Sequence, residues 1–118
     1  MTNKKKRASS VRPEAQPSGT LSITALPFVV DGEQGRPRYW AVEPVDETPL
    51  KQIQAQRVGA KYAIEYADWL RANPELVGMG TLGWIAADID FRDANCTGYW
   101  IGFFSCMERL LFDAAGVT

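Results

Sequence analysis

Histidine is absent from the 118-residue chain. With it go the commonest general base, the commonest metal ligand and every Ser-His or Cys-His nucleophile pairing. Cysteine is scarce, with only Cys96 and Cys106. One falls in a loop-like stretch and the other in an apolar helix, so reduced thiols in a bacterial-type cytosol are a simpler reading than a disulfide. No long hydrophobic run is present: the longest, Gly98 to Met107, is about half of the roughly 20 residues a membrane-spanning helix needs. The N-terminus carries charge but no apolar stretch behind it, unlike a secretory leader. These absences point to a cytoplasmic protein with no membrane partner and no cofactor, and no residue is assigned a catalytic, cofactor-binding or metal-ligating role.

What is present is the composition of one ordinary globular domain, 46% hydrophobic with a net charge of -1. The charge is unevenly placed. Lys4, Lys5, Lys6, Arg7 and Arg12 precede the first acid, Glu14, leaving 8 of the 13 basic residues against all 14 acids, net -6, over positions 13–118. An acidic body favours cationic partners, whereas a basic arm can contact phosphates. Residues 1–19 hold almost nothing to bury and read as a disordered basic arm, with a single domain over 20–118.

From Leu21 the pattern alternates, with Leu21, Ile23 and Ala25 on one side and Ser22 and Thr24 on the other. The turn-forming stretch from Asp31 to Pro37 follows, and Tyr39 to Val42 resumes a β-favouring run. This predicts an N-terminal β-hairpin, with Pro27 and Pro44 confined to edges or strand ends. Next, Thr48 is placed to cap a helix that begins at Pro49 and ends at Ala72, before Asn73-Pro74. Its faces are a polar stripe, a bulky stripe of Val58, Tyr62, Tyr66 and Trp69, and a line of small residues, Gly59, Ala63 and Ala67. Asn73 is expected to cap a short helix at Pro74-Glu75, stopped by Gly78 and Gly80.

Residues 81–91 fit a helical face through Leu82, Ile85, Ala86 and Ile89, and also a strand; Ala86-Ala87, poor in β-branching, favours helix. A last helix runs from about Gly98 to Ala115, capped by Thr97 or Asn95 and so apolar that burial over most of its circumference is expected. Gly98, Gly102 and Cys106 repeat the small-residue spacing, predicting a close crossing of Gly59, Ala63 and Ala67 with Gly102. The expected fold class is α+β, a β-hairpin packed on three or four helices.

Asp88, Asp90 and Asp93 form the most enzyme-like cluster, since adjacent carboxylates suit Mg²⁺ or Ca²⁺. They lack the glycine turn and distal Glu of a calcium loop, so a solvated acidic edge or a docking patch for a basic partner is the plainer reading. Cys96 precedes a helix N-terminus, where the dipole lowers a thiol pKa, but no histidine stands by as a base. Gly78 to Gly83 has glycines like a phosphate loop without the Lys-Ser/Thr ending, and reads as a helix-to-helix turn. Phe28, Tyr39 and Trp40 are nominated as partly exposed partner contacts, because a lone hairpin cannot bury both faces and Trp and Tyr dominate interfaces. Lys4, Lys5, Lys6 and Arg7 are the nucleic-acid alternative, although no aromatic residue is interleaved to stack bases.

Two stretches, Leu82-Gly83-Trp84-Ile85-Ala86-Ala87-Asp88-Ile89-Asp90-Phe91 and Gly98-Tyr99-Trp100-Ile101-Gly102-Phe103-Phe104, resemble small accessory proteins carried on bacterial plasmids, phages and integrative elements. The resemblance covers under a quarter of the chain and transfers no functional residue. It implies a mobile-element context, where small acidic proteins bind and block host or rival machinery. The expectation is a non-enzymatic protein-binding accessory or inhibitor module, with a nucleic-acid-associated protein and a carboxylate-metal enzyme as alternatives.

Overall fold

The computed structural model describes residues 22–116, so the basic arm, including Lys4 to Arg7, lies outside the described residues. Among the described residues three α-helices build the fold: α1 (Pro49–Ala72), α2 (Thr81–Ala87) and α3 (Thr97–Ala114). The limits of α1 follow from local chemistry. Thr48 Oγ1 accepts the Lys51 N–H, Pro49 occupies the first turn, and the chain leaves the helix at Asn73 before Pro74.

The centre of the molecule is the α1–α3 crossing. A Cβ added to Gly59 would overlap the Tyr99 carbonyl oxygen, and one on Gly102 would overlap the Gln56 carbonyl. Gly98 lies in the same way against Gln52, with Ala55 Cβ 2.9 Å from where its own Cβ would stand. The contacts advance in the same direction along both chains, so α1 and α3 run parallel at backbone contact distance. The expected crossing is present, with Gly59 and the fully buried Ala63 in the core. Gly102, however, meets the backbone at Gln56, one turn earlier on α1 than the small-residue line.

The β-hairpin is not formed, and the α+β class is corrected to all-α: among the described residues the only β feature is an isolated antiparallel bridge between Val30 and Arg38. Their backbones exchange two hydrogen bonds, of 3.0 and 2.8 Å, and Ala41 N–H donates to Phe28 O at 2.8 Å. The reason lies in burial. Phe28 and Val29 are both buried, as are Tyr39 and Trp40, whereas a strand sends successive side chains to opposite faces. Residues expected as strand instead form a 3₁₀ turn, Ile23–Ala25, and an irregular strap that drives consecutive apolar residues into the helix pair.

Phe28 thus lies at the middle of an aromatic core, 5.0 Å from Tyr62, 5.5 Å from Trp40 and 5.7 Å from Phe103 between ring centroids. Each fully buried side chain of this size contributes about 1.5–3 kcal/mol.

Two capping expectations are also corrected. Asn73 does not cap the 3₁₀ turn Pro74–Leu76; its Nδ2 turns back, fully buried, to donate to Trp69 O at 2.8 Å. The last helix takes no side-chain cap from Thr97 or Asn95. Gln52 of α1 supplies the acceptor instead, its Oε1 receiving the Gly98 N–H at 2.7 Å. Asn95 ties the strap down, donating through Nδ2 to Val45 O while its own carbonyl accepts the Val45 N–H.

Residues 81–87 are helical, with Ile85 fully buried, but the helix favoured for 81–91 ends at Ala87 and residues 88–91 lie outside it. Gly78 and Gly80 take left-handed φ values of 87° and 95° in the connection before α2, the helix-to-helix turn that was expected. No helix among the described residues is long and apolar enough to cross a membrane.

Candidate functional site

Helix α3 was expected to be buried over most of its circumference, and it is not. Its buried residues are Gly98, Tyr99, Gly102 and Phe103, the line against α1 and the strap. Trp100, Phe104, Met107 and Leu111 follow each other at steps of four, three and four, so they share a second face of the helix. That face forms one wall of an open groove of about 400 Å³, whose other wall includes Leu82 of α2. Leu111 is 69% exposed and Leu82 39%. Of the residues lining the groove, only Ser105 and Glu108 are polar or charged apart from the indole N–H of Trp100.

At the N-terminal end of α3 one residue of the groove, Trp100, touches the acidic loop. Phe91, half exposed, lies edge-to-face on Trp100 at 5.1 Å, and it stands between Asp90 and Arg92 in sequence. Beyond it a second hollow of about 300 Å³ is lined by Arg38, Trp40, Val42, Pro44, Asp88, Asp90, Asp93 and Cys96. The three aspartates of the sequence pattern are therefore brought together.

Their oxygens are largely spoken for by the backbone. Asp88 Oδ2 accepts the Tyr39 N–H at 2.7 Å, Asp90 Oδ1 the Arg92 N–H at 3.0 Å, and Asp93 Oδ1 the Asn95 N–H at 3.0 Å. Among the described residues no group of carboxylates and thiols is arranged to hold a metal ion. What the loop does offer is negative charge beside an apolar groove.

At Cys96 the pull of the helix end on the thiol is overridden. Its thiol is pushed up to about 11, first by burial, then by its contact with Asp93 and the nearby charges of Asp90 and Glu43. These outweigh any pull from the helix dipole, so the group is a protonated thiol at neutral pH. Both cysteines are free.

No family model, curated protein or solved structure matches this chain. The functional reading therefore rests on the surface itself.

Of the residues nominated for partner contact, Phe28, Tyr39 and Trp40 are corrected to core positions, 0%, 8% and 6% exposed. The strap has the two helices beneath it, so its aromatics have a floor that a lone hairpin would lack. Asp88, Asp90 and Asp93 line a separate hollow, joined to the groove through the Phe91–Trp100 contact. Sequence reading missed Leu82, Trp100, Phe104, Met107 and Leu111 as a surface. Their signal was there as a second heptad-like stripe on a helix whose first stripe already served the core.

Proposed function

We propose that this chain is a non-enzymatic accessory or inhibitor module that acts by binding another protein, and that it docks its partner on the α2–α3 groove. One observation carries the reading: along α3, Trp100, Phe104 and Met107 pack one side against the core and, with the exposed Leu111 and with Leu82 of α2, turn the other to an open apolar groove. Contiguous apolar surface of this kind marks interaction sites, and large aromatic and Met side chains supply most of the energy of such interfaces. The protonated Cys96 and the backbone-engaged aspartates support action by contact rather than chemistry. A setting on a bacterial mobile element, with host or rival machinery as the target, is supplied by the resemblance of residues 82–91 and 98–104.

The test is a pull-down from bacterial lysate with the wild-type chain beside Leu111→Glu and Phe104→Glu. Leu111 is exposed enough for its variant to keep the native circular dichroism spectrum. The expected result is a protein recovered by the wild type and lost with both variants. Equal recovery by folded variants, or recovery of nucleic acid alone, overturns the reading.

The second reading, nucleic-acid association, draws on the +5 charge of the first 12 residues. Deleting residues 1–12 would then abolish a salt-sensitive binding to DNA or RNA.

A further inference from the structure

Resting on the protein-binding reading, the geometry of the groove points to a definite class of occupant: we propose an amphipathic helix of the partner whose apolar stripe carries lysine or arginine at one end. The stripe from Trp100 to Leu111 is about 17 Å long at roughly 1.5 Å per residue, so it matches about three helical turns. A helix laid in an apolar groove presents anchors at steps of three and four, the spacing that Trp100, Phe104, Met107 and Leu111 themselves show.

Charge decides which helix. Glu108 is the only charged residue lining the groove, and no hydrogen bond or ion pair occupies its side chain among those of the described residues. At the α3 N-terminal end Trp100 of the groove touches Phe91, the neighbour in sequence of Asp90, and Asp88, Asp90 and Asp93 line a separate hollow together with Cys96, one turn before Trp100. Against these stand Arg38, which lines the same hollow, and Arg92, whose guanidinium is 3.9 Å from Asp90 and almost fully exposed. Positions 13–118 as a whole, these residues included, carry net -6. The same face of a second copy would bring like charge to like charge, whereas a helix with a basic end is complementary in both shape and sign. The basic end lies over the acidic loop, with apolar residues running toward Leu111.

Fluorescence anisotropy with synthetic labelled peptides tests this on the full-length protein. The probes are a leucine-striped helical peptide of about four turns with lysines at its N-terminal end, the same peptide with them at its C-terminal end, an all-glutamate counterpart, and a scrambled sequence. One lysine-ended peptide should bind, and the glutamate and scrambled peptides should not. Leu111→Glu should weaken that binding at least about tenfold, and Asp90→Asn and Glu108→Gln each roughly two- to fivefold, with the charge contribution fading as salt is raised.

Equal binding of lysine and glutamate peptides, or binding untouched by Leu111→Glu, overturns the proposal. So does a concentration-dependent dimer, dissolved by Leu111→Glu, in sedimentation: the occupant would then be a second copy. Absence of peptide binding, while a lysate partner is still lost with Leu111→Glu, overturns the helical occupant and leaves the protein-binding reading standing.

Discussion

The hydroxyl of Tyr66 in α1 stands 2.6 Å from the hydroxyl of Thr81, the first residue of α2. A seven-residue helix is too short to persist by itself in water, so α2 depends on such ties and on the fully buried Ile85. Since Leu82 of α2 lines the groove, the bond between these two side chains helps to place that residue.

Tyr66→Phe should therefore lower stability by about 1 kcal/mol, the usual net worth of one hydrogen bond. Thr81→Val should cost a similar amount, and the double variant little more, because both remove the same interaction. Urea unfolding of the three variants measures this, and additive losses would show that the two hydroxyls do not act on each other.

Glycine substitutions should separate by sign. At Gly102 an added Cβ meets the Gln56 backbone, which cannot swing aside. Gly102→Ala should cost about 1–3 kcal/mol and Gly102→Leu more, by forcing the helices apart. Gly83 lies inside α2 with nothing within 4 Å of its added Cβ. Gly83→Ala should raise stability by roughly 0.5–1 kcal/mol through helix propensity alone. Thermal melts of the pair decide it; a Gly102→Leu protein melting with the wild type contradicts the crossing.

Asp88 holds the strap, accepting the Tyr39 N–H across 49 residues of sequence. Asp88→Ala leaves that partly buried amide without its acceptor and should cost about 1–3 kcal/mol. Asp90→Ala, whose carboxylate serves an exposed turn, should cost less than about 1 kcal/mol. Hydrogen exchange at the Tyr39 amide, accelerated in the Asp88 variant and not in the Asp90 variant, locates the effect.

Alkaline pH should destabilise the fold. The Cys96 thiol ionises at about 11 in the folded chain against an ordinary value of 9.0, so the folded state holds this proton more tightly than the unfolded one. Its contribution is fully present below pH 9 and is lost as pH rises toward 11. Tyr62, Tyr66 and Tyr99 are shifted upward too, each first by burial, and steepen the loss at still higher pH. Cys96→Ser should flatten the part of the stability profile between pH 9 and 11. Alkylation of Cys96 by iodoacetamide should be slow at pH 7 and accelerate throughout that range.

Elements written in short-range chemistry were legible in the amino-acid order alone. Thr48, Pro49 and Asn73-Pro74 set α1 to within its observed limits, Gly78 and Gly80 marked the turn before α2, and Gly59 with Gly102 foretold a close helix crossing. Each is a constraint on one residue or its near neighbours: a missing amide hydrogen, a left-handed φ, an absent Cβ.

The tertiary structure decided what depends on which surfaces meet. Alternation over residues 21–25 suits a strand, but packing against two crossed helices buries Phe28 beside Val29 and Tyr39 beside Trp40, and so replaces the hairpin with an irregular strap. The same packing settled which of α3's two apolar stripes became core and which became groove. Hydrophobicity tells a side chain to leave water and is silent on direction; direction came from Gly59 and Gly102, which let α1 take the Tyr99–Phe103 face and left Trp100, Phe104 and Met107 half-buried along the groove, with Leu111 exposed.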